Sequence, residues 1–302
     1  WAMVPVEGVG GNRIDPKGPC DRTAATLVVR DEPSGRIRAV SLTYGMHPTV
    51  MHEDSTLVSS DFPHYTREAL RDALGAEVTV LYHMGPSGNQ SPRYSVKAQT
   101  FPEAERLGRM LGDPVARAVA ALPDAAFDAN PVLGSCIEAV SLPRRTLPDA
   151  AGARKNLADC QATFARLKAE KAPHGPVRTA ECALFGAEET VVLSAAQESG
   201  ELKRMLDAKY DPLMLQTVRI GAQCLCGLPC EIFCEYGLAL KEQTKGRAIA
   251  VSLVNGETQG YVVTPEAEAA GGYEATNACF APAAGTHMVA TLRAQTERLL
   301  RR

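Results

Sequence analysis

The chain has 302 residues, of which 45% are hydrophobic and 22% charged, and its formal net charge is −3. This composition is that of an ordinary globular protein, and it excludes the basic footprint that a nucleic-acid partner requires. No apolar run approaches the roughly 18 residues needed to cross a bilayer, so no transmembrane segment is predicted. With no internal repeat and no linker in the sequence, we expect a single domain over residues 1–302.

In the first half of the chain, turn residues separate short β-rich runs from stretches with helical periodicity. The glycine- and proline-rich residues 1–23 favour an extended loop. The predicted elements that follow are strands over 26–30 and 36–44, a helix over 62–74, a strand over 78–82, a loop over 85–94 and an amphipathic helix over 102–122. The first two strands form a hairpin through the turn Pro33-Ser34-Gly35.

The second half of the chain continues this alternation with more charged helices. The predicted strands cover 132–142, 214–225, 248–254 and 260–263, and the predicted helices cover 147–171, 201–210, 232–245 and 285–302. The helix over 147–171 is charged and predicts a surface arm. Because strands and helices alternate, the predicted fold class is α/β, with a mainly central mixed sheet flanked by helices in α/β/α-like layers.

Four segments next to predicted strands carry residues suited to chemistry, since ligands of open α/β sheets bind at strand ends. His47 follows a strand, but a single histidine in such a place is more often a hydrogen-bonded structural residue. The loop over 84–93 offers backbone N–H groups to an oxyanion, or is an ordinary turn. Glu231 lies at a predicted helix start, where its charge also suits the helix dipole. Tyr261 and Tyr273 lie in glycine-rich loops and indicate nothing by themselves.

Two further patterns in the sequence compete with these segments as candidate sites. The glycine-rich residues 8–11 are not preceded by a strand, which excludes a dinucleotide-binding turn. Four clustered cysteines could bind a structural metal, although the usual zinc pattern has two C-x₂₋₄-C pairs separated by a longer span. These cysteines are Cys224, Cys226, Cys230 and Cys234. The alternative is that they are packed, free thiols, and the odd total of nine cysteines favours a reducing, cytoplasmic compartment.

Seven segments, taken together and in this order, resemble the neutral/alkaline non-lysosomal ceramidase family. They are Asn12-Arg13, His47-Pro48-Thr49-Val50-Met51, Leu57-Val58-Ser59-Ser60-Asp61, Gly88-Asn89-Gln90-Ser91-Pro92, Pro229-Cys230-Glu231, Asn255 with Gly260-Tyr261, and Tyr273-Glu274-Ala275. The resemblance extends from Asn12 to Pro282, but it is dense only at these points. No single segment is specific to the family, whereas the complete ordered set is.

The resemblance implies a zinc-dependent hydrolase that cleaves an amide bond of an N-acyl substrate with a metal-activated water. That family holds one zinc ion with two histidines, a glutamate and a tyrosine, which implies His47, Glu231 and Tyr261 as the Zn²⁺ ligands of this chain. Nitrogen and oxygen ligands suit zinc, and a catalytic zinc site keeps one position open for water. The implied partner is a lipid or smaller N-acyl compound.

The resemblance also implies catalytic roles for three residues outside the ligand set. Arg13 and Tyr273 could donate hydrogen bonds to the oxyanion that develops during amide hydrolysis. Ser91 has no histidine base beside it in the sequence, so its implied work is positioning or proton relay rather than nucleophilic attack. Asp61 is expected to orient the ligands or the loop that carries them.

Three features depart from the family pattern. The family's second zinc histidine belongs to a His-x-His segment upstream of anything in this sequence, Asn89 replaces the family's aspartate, and the β-sandwich domain that follows the catalytic domain is absent. Together with a single tryptophan and only 5% aromatic residues, these departures weaken the case for a long-chain lipid such as ceramide. A smaller N-acyl compound, or another amide or ester, is equally open as the substrate. The alternative function is a non-catalytic metal- or ligand-binding homologue with an incomplete zinc site.

Overall fold

The structure is a computed structural model that describes residues 1–51 and 55–301. Its strands are β1 (Ala2–Pro5), β2 (Gly11–Asn12), β3 (Thr23–Arg30), β4 (Ile37–Tyr44), β5 (Thr79–Met84), β6 (Gln90–Ser91), β7 (Leu133–Val140), β8 (Leu213–Ile220), β9 (Gln223–Leu228), β10 (Glu231–Ile232), β11 (Ala248–Ser252) and β12 (Tyr261–Val262). Its α-helices are α1 (Phe62–Leu74), α2 (Phe101–Ala120), α3 (Ala150–Ala169), α4 (His174–Glu198), α5 (Glu201–Lys209), α6 (Cys234–Gln243), α7 (Pro265–Ala270), α8 (Tyr273–Thr276) and α9 (Ala283–Leu300).

Two four-stranded mixed sheets form the centre of the fold. Their strand orders are β1-β3-β4-β5 and β7-β8-β9-β11, and in each sheet two antiparallel pairings are followed by a parallel one. In the first sheet α1 joins β4 to β5, and α2 packs against β1 and β3. In the second sheet α6 lies between β9 and β11, and α9 packs against β7, β8 and β9. The chain therefore builds the same β-β-β-α-β-α arrangement twice. The edge strands β5 and β11 contact each other, so the two sheets adjoin.

Each sheet buries a hydrophobic cluster beneath its own helices. Leu42 on β4, Leu70 on α1 and Leu107 on α2 are fully buried in the first cluster. Leu215 on β8 and Leu292 on α9 are fully buried in the second. Full burial of such a side chain stabilises the fold by about 1.5–3 kcal/mol, so these clusters fix the helices against the sheets.

The predicted α/β class, with a mixed sheet flanked by helices, is confirmed, while several boundaries differ. Helix α1 spans the predicted residues 62–74. The single strand predicted over 214–225 is wrong, because the chain turns at Gly221, whose φ of 63° suits glycine, and forms the β8–β9 hairpin. The loop predicted over residues 1–23 contains β1, which pairs with β3.

Helix α4 had no predicted counterpart, because Gly175, Pro176 and a run of β-branched residues weaken its helical pattern. It packs against α3 and contacts the short helix α8. The close approach to α8 depends on Gly186, since a Cβ there would collide with Thr276. Helices α3, α4 and α5 lie between β7 and β8, where the first half of the chain has no helix between β1 and β3. Within residues 1–51 and 55–301, no helix is both long and apolar enough to cross a membrane.

Candidate active site

Strand ends from the two sheets bring the three implied metal ligands together. His47 follows β4, Glu231 opens β10 just after β9, and Tyr261 opens β12 after β11. Strands β10 and β12 pair in parallel, with Glu231 opposite Tyr261. The Nε2 atom of His47 lies 2.8 Å from Oε2 of Glu231. The three side chains therefore share one neighbourhood, and their role as metal ligands stays a prediction.

Two contacts fix the imidazole of His47. Its Nδ1 lies 3.0 Å from the carbonyl oxygen of Gln90, which accepts the Nδ1 proton. A neutral ring then presents the lone pair of Nε2 to the carboxylate of Glu231. Two acceptors at this distance require a proton or a metal cation between them. Burial alone would raise the pKa of Glu231, but the contacts with His47 and Tyr261 outweigh it and hold that pKa below its ordinary value.

Arg13 connects the tyrosine of this set to a buried carboxylate that sequence reasoning missed. Its Nε donates to Oε1 of Glu274 at 2.7 Å, and its Nη2 donates to the hydroxyl of Tyr261 at 3.1 Å. The side chains of Arg13 and Glu274 are only 7% and 6% exposed. Burial opposes the charge of the guanidinium, but Glu274 and Tyr261 together raise the pKa of Arg13. Arg13 is therefore a fully charged donor held in one orientation.

Tyr273 completes the aromatic side of the site from the start of α8. Its ring meets that of Tyr261 edge to face, with centroids 5.6 Å apart. The guanidinium carbon of Arg13 lies 6.0 Å from the centroid of Tyr273. Burial raises the pKa of Tyr273, so its hydroxyl remains a proton donor at neutral pH.

Ser91 reaches the site through two short pairings of the loop after β5. Gly11 pairs with Ser91 in the β2–β6 ladder, which places the serine beside the segment that carries Arg13. Gly88 lets the loop lie against the Glu231 segment: its N–H donates to the carbonyl oxygen of Ile232 at 2.8 Å, and a Cβ would lie 2.8 Å from the carbonyl oxygen of Glu231. Ser91 is buried and borders the site, and no histidine within residues 1–51 and 55–301 hydrogen bonds to its hydroxyl.

Asn89, the replacement noted in the sequence, ties the same loop to α6. Its Nδ2 donates to Glu235 at 2.8 Å, and its Oδ1 accepts from the backbone N–H of Cys234 at 3.0 Å. The side chain is 1% exposed. An aspartate could make the second contact but not the first, so an amide fits this environment.

Asp61 holds the segment that follows His47. Its Oδ2 accepts from the backbone N–H of Met51 at 2.6 Å, and its Oδ1 accepts from that of Phe62 at 2.7 Å. Asp61 caps α1 with a backbone φ of 56°, which is strained for a residue other than glycine. Asp61 thus positions the segment over residues 47–51, which lies beside the site.

The side chains of the site enclose one cavity of about 410 Å³, which Asp61, Asn89 and Glu274 support without lining it. Helix α4 forms the opposite wall with a mixture of charged, polar and apolar side chains. The lining residues are Arg13, His47, Thr49, Met51, Ser91, Arg93, Val96, Gln99, His174, Arg178, Cys182, Phe185, Glu231, Tyr261 and Tyr273. The three implied metal ligands and the three implied catalytic residues therefore all line this cavity, whereas Asp61 does not.

The donor chemistry of the cavity fits a zinc ion in part. An imidazole nitrogen, a carboxylate and a phenolic oxygen are suitable ligands, and Nδ1 of His47 donates to a backbone carbonyl, as is typical of a metal-bound histidine. In residues 1–51 and 55–301, no group of three or more histidine, cysteine, aspartate or glutamate side chains could hold a metal. The set of His47 and Glu231 depends on Tyr261 as its third ligand.

The cysteine cluster takes no part in this site. Cys224 and Cys226 are fully buried on β9, and Cys230 and Cys234 are 1% exposed. All of them are free, and burial raises the pKa of the Cys226 thiol to about 12. They belong to no candidate metal group of the described part of the chain. Packed, protonated thiols match the alternative interpretation of the sequence.

Fold and site together define an α/β protein with a polar cavity at the junction of two mixed sheets. Its overall structure is similar to neutral ceramidase from Pseudomonas aeruginosa, with a TM-score of 0.69 and 16% identity over 98% of this chain and 51% of that one. A ceramidase complexed with C2 gives a TM-score of 0.67 and 15% identity over 99% of this chain and 53% of that one. The resemblance to ceramidases is therefore confirmed at the level of the fold.

Comparisons by sequence match a smaller part of the chain than the structural comparisons do. No protein-family model matches the chain. A stretch of 124 residues is 36% identical to part of the phosphoglycerate kinase of Streptomyces avermitilis and covers 41% of this chain and 23% of that protein. The chain thus spans about half the length of the two ceramidases and about a quarter of the kinase. The local match leaves most of both proteins outside it, and it assigns no family to the whole chain.

Proposed function

We propose that this chain is a ceramidase-like, zinc-dependent hydrolase that cleaves the amide bond of an N-acyl substrate. The observation that carries the proposal is the meeting of His47, Glu231 and Tyr261 at one cavity, although they are far apart in sequence. Arg13 and Tyr273, two charged or polar donors, border the same cavity. The ceramidase fold supports this assignment, since those neighbours carry the name of an amide-cleaving enzyme.

Nε2 of His47, the carboxylate of Glu231 and the phenolic oxygen of Tyr261 would hold the metal. Zinc, when bound, supplies a Lewis acid for the amide carbonyl and lowers the pKa of water towards 7. The hydrogen bond from His47 Nδ1 to Gln90 keeps the correct ring nitrogen turned towards this position. The Tyr261 hydroxyl would exchange its contact with Glu231 for the metal while still accepting from Arg13.

Arg13 and Tyr273 would stabilise the carbonyl oxygen as it gains negative charge. A guanidinium has five N–H donors, and the contacts with Glu274 and Tyr261 use two of them, so others can face the substrate. The Tyr273 hydroxyl stays protonated because burial raises its pKa. Each such donor contributes about 3–4 kcal/mol to stabilisation of the transition state.

Ser91 would position the substrate or carry a proton away from the reacting centre. It is buried at the cavity wall, and its hydroxyl accepts from the backbone N–H of Arg93 at 3.3 Å. No histidine among the described residues contacts that hydroxyl, so a serine nucleophile activated by a histidine base has no support here.

The second candidate function is a non-catalytic metal- or ligand-binding protein. It is favoured by the finding that the described residues contain no group of three histidine, cysteine or acidic side chains able to hold a metal. A site built on His47, Glu231 and Tyr261 would then bind zinc weakly and fail to activate water.

The test is metal analysis of the purified full chain combined with hydrolysis of N-acyl substrates of increasing chain length. The proposal expects bound zinc, amide cleavage, loss of cleavage on chelation and its return with added zinc. Zinc or ligand binding without cleavage would favour the non-catalytic function. Cleavage that survives complete removal of metal would contradict the assignment.

A further inference from the structure

Arg93 is a cation of the cavity that has no role in the proposed chemistry. Its Nη1 donates to the carbonyl oxygen of Arg13 at 3.2 Å and to Oγ1 of Thr179 at 3.2 Å, and its Nη2 donates to Sγ of Cys182 at 3.4 Å. All three acceptors are uncharged. No carboxylate within residues 1–51 and 55–301 pairs with it.

The other arginines of the cavity are different in this respect. Arg13 is paired with Glu274 at 2.7 Å, and Arg178 is paired with Glu181, also at 2.7 Å. A half-buried guanidinium without a counter-charge loses hydration that uncharged acceptors replace only in part. Arg93 therefore carries an unneutralised charge at the cavity surface.

The present contacts of Arg93 are also weak. Charge-assisted hydrogen bonds to oxygen anions measure about 2.7–2.9 Å, whereas the two Nη1 contacts are longer, and a thiol is a poor acceptor. A planar carboxylate can accept two parallel N–H bonds from a guanidinium fork. Such a ligand would bind Arg93 better than Thr179 and Cys182 do.

We propose that Arg93 binds a carboxylate group of the substrate, so that the preferred substrate is an N-acyl compound with a free carboxylate rather than an uncharged lipid amide. This proposal rests on the proposed function. A carboxylate is favoured over a phosphate because a single unneutralised guanidinium matches one negative charge. The cavity of about 410 Å³ is of the size usual for a small-molecule site.

The carboxylate site adjoins the reacting centre through one residue. Arg93 donates to the backbone of Arg13, and the side chain of Arg13 donates to Tyr261. A carboxylate next to the scissile amide, as in an N-acyl amino acid, satisfies this placement. The same group at the acyl end, as in the monoamide of a dicarboxylic acid, is the other source of the shared chemistry.

The wild-type test needs no variant. Values of kcat/KM are measured for an N-acyl amino acid and its uncharged carboxamide, and for a dicarboxylic acid monoamide and its uncharged ester. The expected preference for a carboxylate is about 10- to 100-fold, the range of a hydrogen bond to a charged group. The pair that shows the preference identifies which side of the amide carries the carboxylate. Equal values within both pairs would overturn the proposal.

Variants then assign the preference to Arg93. In Arg93→Gln the preference should fall to about one, and Arg93→Lys should retain part of it because the charge remains without the fork. The matched control is Lys97→Gln, which removes an exposed cation four positions away that does not line the cavity. A preference that is unchanged in Arg93→Gln, or that falls equally in Lys97→Gln, would contradict a specific carboxylate site.

Failure of the hydrolase assignment is distinguished by equilibrium binding. If no amide is cleaved, calorimetry with the N-acyl amino acid and its carboxamide measures the same preference without chemistry. Tighter binding of the carboxylate that disappears in Arg93→Gln would support the carboxylate site and refute only the hydrolase. Equal affinities would overturn the carboxylate site itself.

Discussion

The two halves of the chain use one strand arrangement to supply different parts of a single site. In the first half, β4 leads to His47 and the loop after β5 leads to Ser91; in the second, β9 leads to Glu231 and the segment after β11 leads to Tyr261. Equivalent strand ends thus carry unlike side chains, and the imidazole of His47 from one sheet faces the carboxylate of Glu231 from the other. Neither half contains the complete set.

The halves differ most in the connection between their first two strands. The connection over residues 6–22 is short and carries Arg13, whose guanidinium borders the cavity. Residues 141–212 carry α3, α4 and α5, and α4 forms the wall of the cavity. His47, Glu231 and Tyr261 therefore follow strand ends of the two sheets, whereas Arg13 and the opposite wall of the cavity come from these two connections.

The largest effect on stability is expected from loss of the buried ion pair between Arg13 and Glu274, which joins the two halves. Glu274→Gln leaves the Arg13 guanidinium buried without a counter-charge, and loss of one partner of such a pair costs about 3–5 kcal/mol. The free energy of unfolding from urea titration should fall by this amount, and hydrolysis should fall with it. The control Glu7→Gln breaks the exposed pair with Arg22 and should cost about 0–1 kcal/mol. An equal loss of unfolding free energy in both variants would show that the buried pair contributes no more to stability than the exposed pair.

The next largest effect, on kcat, is expected for Tyr273, which lies in the second half of the chain. Tyr273→Phe removes a hydroxyl at the cavity and should lower kcat by about 10²- to 10³-fold while zinc content is retained. Tyr94→Phe, at an exposed residue outside the cavity lining, is the matched control. An unchanged kcat in Tyr273→Phe would remove this residue from the catalytic set.

A smaller effect is expected for Asp61, which holds the segment over residues 47–51 in the first half. Asp61→Asn replaces one accepting oxygen by a donor facing a backbone N–H, either that of Met51 or that of Phe62. The expected loss is about 1–3 kcal/mol in unfolding free energy, together with a raised KM because Met51 lines the cavity. The exposed Asp72→Asn is the control. A fall in stability with no change in KM would limit Asp61 to capping α1.

The smallest effect on metal content is expected from the cysteines of β9. Replacement of Cys224 and Cys226 by alanine should leave the zinc content of the chain unchanged, since both thiols are buried and free and neither lines the cavity that His47 borders. Metal analysis of the doubly substituted protein checks this. Loss of zinc would transfer the metal site to the cysteine cluster.

Local sequence features predict much of each half but not how the halves combine. The periodicity of α1 and the turn at Pro33-Ser34-Gly35 are short-range signals, so those elements follow from the sequence. The repeated strand arrangement and the hairpin at Gly221 depend on pairings between separate segments. Helix α4 was missed because packing against α3 and α8, rather than its own pattern, stabilises it.

The candidate site shows the same limit. His47, Glu231 and Tyr261 came from ordered motifs and a family resemblance, and spacing alone indicated no common site. The buried pair of Arg13 and Glu274 joins residues 261 positions apart, and no local pattern selects Glu274 among the acidic residues. The uncharged environment of the Arg93 guanidinium is likewise visible only once α4 is packed over it.

One measurement tests the central claim most directly: the zinc stoichiometry of His47→Ala beside that of His64→Ala, an exposed histidine of the same half. We expect zinc and amide hydrolysis to be lost in His47→Ala and retained in His64→Ala, with both proteins folded by circular dichroism. Zinc bound at the wild-type ratio in folded His47→Ala would contradict a metal site shared by the two sheets.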